Sequence, residues 1–107
     1  VSNGDRNTTT VAPQALFMMN SSLVDTSTLA LATSLIAMNP SGRIDRAYSV
    51  IMGRVPNERE ILGAQAYTQQ VNVAASSAGV PIDDAELVAW QSFCRVLLSS
   101  NEFFYVE

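Results

Sequence analysis

Apolar residues recur along most of this chain at intervals of three and four, the period of an amphipathic helix. The most regular stretch lies in the middle, where Ile44, Ala47, Tyr48, Ile51 and Met52 form one continuous helical face. Asp45 stands in the first turn of that helix and Arg54 just past its end, the placements that the helix dipole favours. Gly53 sits where a left-handed residue ends a helix, a conformation only glycine takes without steric cost. Pro56 forbids continuation, and Asn57 with Glu60 three residues on has the spacing of a capping box. Gly53, Arg54, Pro56, Asn57 and Glu60 together predict helix, sharp turn and second helix.

The other segments are placed around this hairpin. Residues 1–11 read as an extended, polar lead-in strap, after which Thr10 caps a short helix with Pro13 in its first turn. That helix, through Met19, is apolar nearly all round and has to be covered on several sides. Ser22 and Asp25 have capping-box spacing, and Val24, Thr28, Leu31, Leu35 and Met38 form a stripe, widened by Leu29 and Ile36, until Asn39-Pro40-Ser41-Gly42 stops the helix. From Glu58 to about Ser76 the pattern puts Leu62, Ala66 and Val73 on one side, with Ile61 and Tyr67 beside them. Ser77 to Pro81 break the chain, and Asp83 or Asp84 is expected to cap a fifth helix carrying Leu87, Trp90, Cys94, Leu97 and Leu98. Phe93 and Val96 widen that face so far that this helix is expected at the centre. Trp90 is its largest residue, with an indole N–H that calls for a partner. The tail holds Phe103, Phe104 and Tyr105, too apolar for open water and so expected to dock on the helices or on something else. The fold expected is all-α: one domain over residues 1–107, about five short-to-medium helices in a compact bundle or orthogonal array, with a docked aromatic tail.

Composition narrows the function. Of 107 residues 48% are hydrophobic and 15% charged, so some apolar surface is expected to meet a partner. Net charge is -4, lysine is absent and the six arginines are scattered, which excludes the basic stripe of a nucleic-acid binder. No apolar run approaches the roughly 20 residues of a membrane span. One cysteine and no histidine remove internal disulfides, Cys/His zinc sites, Cys–His dyads and Ser–His–Asp triads. Asp83, Asp84 and Glu86 lack the spaced ligands of a calcium loop and read as helix-dipole compensation. Asp45, Glu58 and Glu60 lie among Arg43, Arg46, Arg54 and Arg59, which points to salt bridges instead of acid–base chemistry. Cys94, on an apolar face with no nearby histidine or lysine in sequence, reads as an inert core residue. No catalytic residue, metal ligand or cofactor is therefore assigned to this chain. Arg54 is expected to tie the turn to Glu58, Glu60 or a backbone carbonyl of the tail.

Three segments carry a family resemblance. Arg6-Asn7-Thr8-Thr9-Thr10-Val11-Ala12-Pro13-Gln14-Ala15-Leu16-Phe17-Met18-Met19-Asn20-Ser21 is the first. Arg46-Ala47-Tyr48 with Gly53-Arg54-Val55-Pro56 and Glu60 is the second, and Ala89-Trp90 with Leu97 to Val106 the third. In order and spacing they resemble the C-terminal region of domain-of-unknown-function family 1553. Where that family often has Gly-Arg-Pro-Pro this chain has Gly-Arg-Val-Pro, and where it often has Leu-Asn-Ser-Asn this chain has Leu-Ser-Ser-Asn, changes that leave the turn and cap logic intact. The resemblance implies a piece of a large exported, extracytoplasmic protein of the Planctomycete type, often with a cytochrome-c-like domain upstream. It brings no catalytic residue with it, and the family's haem attachment would lie elsewhere, since Cys94 is followed by Arg95-Val96-Leu97. The missing initiator methionine agrees with a fragment or processed piece.

Two functions fit. One is a non-catalytic interaction or structural module that packs on the remaining domains of its parent or on other subunits. The alternative is the helical part of an enzyme or redox assembly, cytochrome-associated and acting on polysaccharide, whose active residues lie in other domains. Gly53, Arg54, Pro56, Asn57, Glu60, Trp90, Phe103, Phe104 and Tyr105 are the candidate structural or interaction residues.

Overall fold

Four α-helices follow one another through residues 22–100, the part of the chain that the computed structural model describes. They are α1 (Ser22–Ile36), α2 (Arg43–Met52), α3 (Glu58–Ser77) and α4 (Ile82–Ser99), with a short 3-10 turn at Pro40–Gly42 before α2. No strand occurs among the described residues, and the all-α expectation holds. The lead-in strap, the helix after Pro13 and the tail with Phe103, Phe104 and Tyr105 lie outside the described residues. No helix among the described residues is long and apolar enough to cross a membrane.

Helix ends follow local chemistry. Gly53 closes α2 in the left-handed region at φ 72°, its N–H donating to the carbonyls of Ser49 and Tyr48. Gly79, at φ 97°, does the same after α3: its N–H donates to Ser76 and the next N–H, of Val80, reaches back to Ala75, a Schellman pair. Three boundaries differ from expectation. α1 stops at Ile36, and Asn39, instead of closing it, caps the 3-10 turn by accepting from the N–H of Ser41. Ser22 already lies within α1, and the Asp25 carboxylate is engaged by Arg95 of α4. Asp83 and Asp84 do not cap α4; the helix starts at Ile82, the Ala85 N–H donates to the Pro81 carbonyl, and the two acids sit in the first turn. There they still face the positive end of the helix dipole.

Helix α4 is the centre, as its wide apolar face predicts: it packs on α3, α1 and α2 in turn. Ala85, Ala89, Trp90, Phe93, Cys94 and Leu97 are all buried along it. Small residues set the helix separations, with Ala32, Ala47, Ala64, Ala85 and Ala89 almost completely buried. Phe93 joins the layers, meeting Trp90 edge-to-face at 5.7 Å and lying tilted against Tyr48 at 6.2 Å and Tyr67 at 6.4 Å. Such pairs add about 0.5–1.5 kcal/mol each to plain burial. Buried hydroxyls are satisfied on the spot: Thr68 donates to the Ala64 carbonyl, and Thr28 donates to Val24 while accepting from Gln91.

One expected face is wrong. Leu62, Ala66 and Val73 were the apolar side of α3, yet all three are exposed, and Ala64 and Thr68 are the residues turned inward. Ala64 joins the buried core cluster that holds Phe93 of α4, and where two helices pack closely small side chains are favoured over leucine. Leu29 and Val96, read as edges of core stripes, are likewise more than two-fifths exposed.

Candidate functional site

The five turn residues converge as expected. Asn57 caps α3 by accepting the Glu60 N–H at 2.8 Å, while its own N–H donates to Glu60 Oε1 at 2.9 Å, a complete capping box. Pro56 is buried beneath the turn. Arg54 then grips Glu60 with both arms of its guanidinium, Nη1 to Oε1 and Nη2 to Oε2, each at 2.9 Å. Its Nη1 also donates to the Val55 carbonyl, and the guanidinium lies 5.6 Å from the centre of the Tyr48 ring. The planar fork explains why arginine stands here: lysine has no second arm for the carboxylate and no flat face for the ring.

The same contacts set the local electrostatics. The Arg54 hydrogen bonds, helped by the Asn57 N–H, hold the Glu60 carboxyl down at about 2. Burial, and secondarily the Glu60 charge, push the Tyr48 phenol up, with Arg54 opposing. Neither group can exchange a proton near neutrality. The turn is thus a rigid ion-paired corner, and no acid–base pair is assembled in it.

Below this corner an open groove of about 300 Å³ runs between α3 and the end of α4. Tyr48, Gly63, Tyr67, Phe93, Val96 and Ser100 border it, so its walls are aromatic and aliphatic with a single ion pair at the rim.

Trp90 belongs to a different centre, which sequence reading missed. Arg43, the first residue of α2, is buried, and its Nη2 donates to the Ile36 carbonyl at 2.9 Å and more weakly to Met38 at 3.4 Å. Nη1 pairs with Glu86 of α4 at 2.7 Å, and the guanidinium lies 5.7 Å from the Trp90 ring centre. Nε has no acceptor among the described residues. One side chain therefore joins the end of α1, the start of α2 and the middle of α4. Two signals could have found it: a cation directly after a helix stop, where orphan carbonyls accumulate, and Glu86 one helical turn before Trp90. Glu86 thus separates from Asp83 and Asp84, which stay exposed.

Other chemistry-bearing groups are not assembled. Cys94 is fully buried, and burial pushes its thiol up to about 12, so it stays protonated and unreactive. No group of three or more His, Cys, Asp or Glu residues that could hold a metal occurs among the described residues. The outer face of α3 is different in kind. Leu62 is 64% and Val73 58% exposed, no charged residue occurs from Ile61 to Ser77, and Ala66, Gln69, Gln70 and Val73 line a shallow depression of about 400 Å³.

The family model PSD1, described as a protein of unknown function (DUF1553), matches residues 1–75. The match takes in the first two of the three resembling segments, the whole corner and most of α3, and stops short of the third. No curated protein and no solved structure matches the chain.

Proposed function

We propose, from the premise that this chain belongs to the DUF1553 family, that it is a non-catalytic helical module packing on other domains of a larger extracytoplasmic protein or on partner subunits. The observation that carries the reading is the outer face of α3, where leucine and valine stand exposed on a helix with no charge for seventeen residues, Ile61 to Ser77. A free surface normally breaks such a stretch with lysine or glutamate, whereas a depleted charge with exposed aliphatic side chains is the composition of an interface core. Burying a leucine or valine in a partner is worth about 1.5–3 kcal/mol. Gln65, Gln69, Gln70 and Asn72 around the stripe supply the polar rim.

The test is co-elution of this chain with the remaining domains of its parent, compared with the double substitution Leu62→Glu and Val73→Glu. Both sites are exposed, so the melting temperature should stay within about 2 °C, as for ordinary surface substitutions, while co-elution is lost. A chain that is monomeric, binds no apolar-surface dye and behaves identically after the double substitution would overturn the reading.

A further inference from the structure

We infer that the exposed face of α3 docks against the same face of a second copy of this chain, the two helices running antiparallel about a two-fold axis at the height of Tyr67 and Thr68. The inference rests on the reading of that face as an interface and names its occupant. Arg59, Leu62, Ala66, Gln69, Val73 and Ser76 stand at alternating intervals of three and four, and all are exposed. That spacing keeps one seam of a helix turned toward a second helix, as in a coiled coil. It also reads the same from either end. Turned end for end, the row sets Arg59 against Ser76, Leu62 against Val73 and Ala66 against Gln69, the self-matching that a two-fold dimer requires. On its other side α3 packs mainly on α4 and turns Ala64 and Thr68 inward, so the row faces away from the bundle.

Charge selects both the occupant and the sense of the pairing. No charged residue occurs from Ile61 to Ser77, so the middle of the row presents nothing that an identical surface would repel. The cation of the row is at its start, where Arg59 is exposed and makes no ion pair among the described residues. The last turn of α3 has no basic residue of its own to meet the negative end of the helix dipole. Antiparallel pairing brings the Arg59 of each copy to that turn of the other, at the height of Ser76, whereas parallel pairing would set the two arginines side by side. Shape points the same way. The depression bordered by Ala66, Gln69, Gln70 and Val73 has the i, i+3, i+4, i+7 outline of a hole that a facing helix fills. Ala66 lets the helices approach closely near the axis, and Leu62 and Val73 cover each other at both ends. Gln65 meets Gln70 amide to amide, each able to donate and accept. The row is about 25 Å long at the helical rise, a strip at the small end of specific interfaces, so the pair should be weak, with a Kd of about 1–100 μM.

Sedimentation velocity of the full chain across about 1 to 500 μM, concentrations that bracket this Kd, should show monomer passing to dimer. The Leu62→Glu/Val73→Glu chain should stay monomeric throughout with its helical spectrum kept, because it sets carboxylates of both copies into one seam. The register is read by mixing a Leu62→Cys chain with a Val73→Cys chain under mild oxidation: a disulfide-linked pair should form that neither chain gives alone, the native Cys94 being buried. A dimer that survives the double glutamate substitution, or a disulfide formed by the Leu62→Cys chain alone, would overturn the antiparallel pair. A chain that stays monomeric at the highest concentration, yet binds an apolar-surface dye and loses that binding on the double substitution, overturns the second copy as occupant and leaves the face to another domain of the parent. A monomer that binds no dye overturns both the pairing and the reading of the face as an interface.

Discussion

Replacing Arg43 by methionine should destabilise this fold more than any other single polar substitution described here. The hydrogen bond from Nη2 to Ile36 comes from a charged donor and is worth about 1.5–3 kcal/mol, while the longer contact to Met38 adds little. Glu86 is 38% exposed, so its attraction to Arg43 is screened and contributes about 0–1 kcal/mol. The stacked Trp90 ring adds about 0.5–1 kcal/mol. Against this, removing the unpartnered Nε relieves about 1 kcal/mol of desolvation. The net loss is about 2–3 kcal/mol, or a melting temperature lower by about 10–15 °C. Urea unfolding followed by fluorescence reads it directly, since Trp90 is the one tryptophan and lies under the substituted side chain. Arg43→Lys keeps the charge near the α1 carbonyls but loses the fork, and should recover about half of the loss. Glu86→Gln should cost under about 1 kcal/mol. Stability equal to wild type in Arg43→Lys, or a loss below about 1 kcal/mol in Arg43→Met, would refute the claim that one guanidinium joins three helices.

Three further outcomes follow from the same geometry. The Glu60 carboxyl is lowered from 4.5 to about 2 by Arg54 and Asn57, so its stabilising contribution is present above pH 4.5 and is lost as pH falls toward about 2; urea midpoints should drop across that window, and less so in Glu60→Gln. Ala64→Leu should cost about 1–3 kcal/mol by overpacking the α3–α4 contact, whereas Ala66→Leu, two residues on, should stay within about 0.5 kcal/mol; equal effects would reverse the assigned faces. Cys94 should resist thiol reagents at pH 8 in the native chain and react only at the rate of unfolding, measurable by mass shift over time; prompt labelling would contradict its burial.

The corner between α2 and α3 was legible residue by residue because each signal there is local. A glycine that turns left-handed, a proline that cannot continue, and a cap that meets its glutamate three positions later all act within one turn of chain. Of the three partners expected for Arg54, the structure selects Glu60, one of the two that are local in sequence. The face of α3 was not legible. Hydrophobic periodicity weights Leu62 and Val73 above Ala64 and Thr68, but a helix that must lie close to α4 buries its small residues, and closeness is a property of the pair. The role of Arg43 is hidden for a similar reason: in the chain it stands among other arginines, and only folding brings Glu86, 43 residues away, to its side.

The sequence by itself determined that this protein is helical, where α2 ends and α3 begins, that α4 carries the widest apolar face, and that no histidine- or cysteine-pair chemistry is available to it. Those follow from backbone conformation and residue inventory, which need no distant neighbour. Tertiary structure alone decided which side of α3 is buried and which is left exposed. It also put a guanidinium under the end of α1 and opened an aromatic groove where α4 lets the chain go. Those depend on how closely helices approach and what their ends leave unsatisfied, quantities that exist only once the helices are packed together.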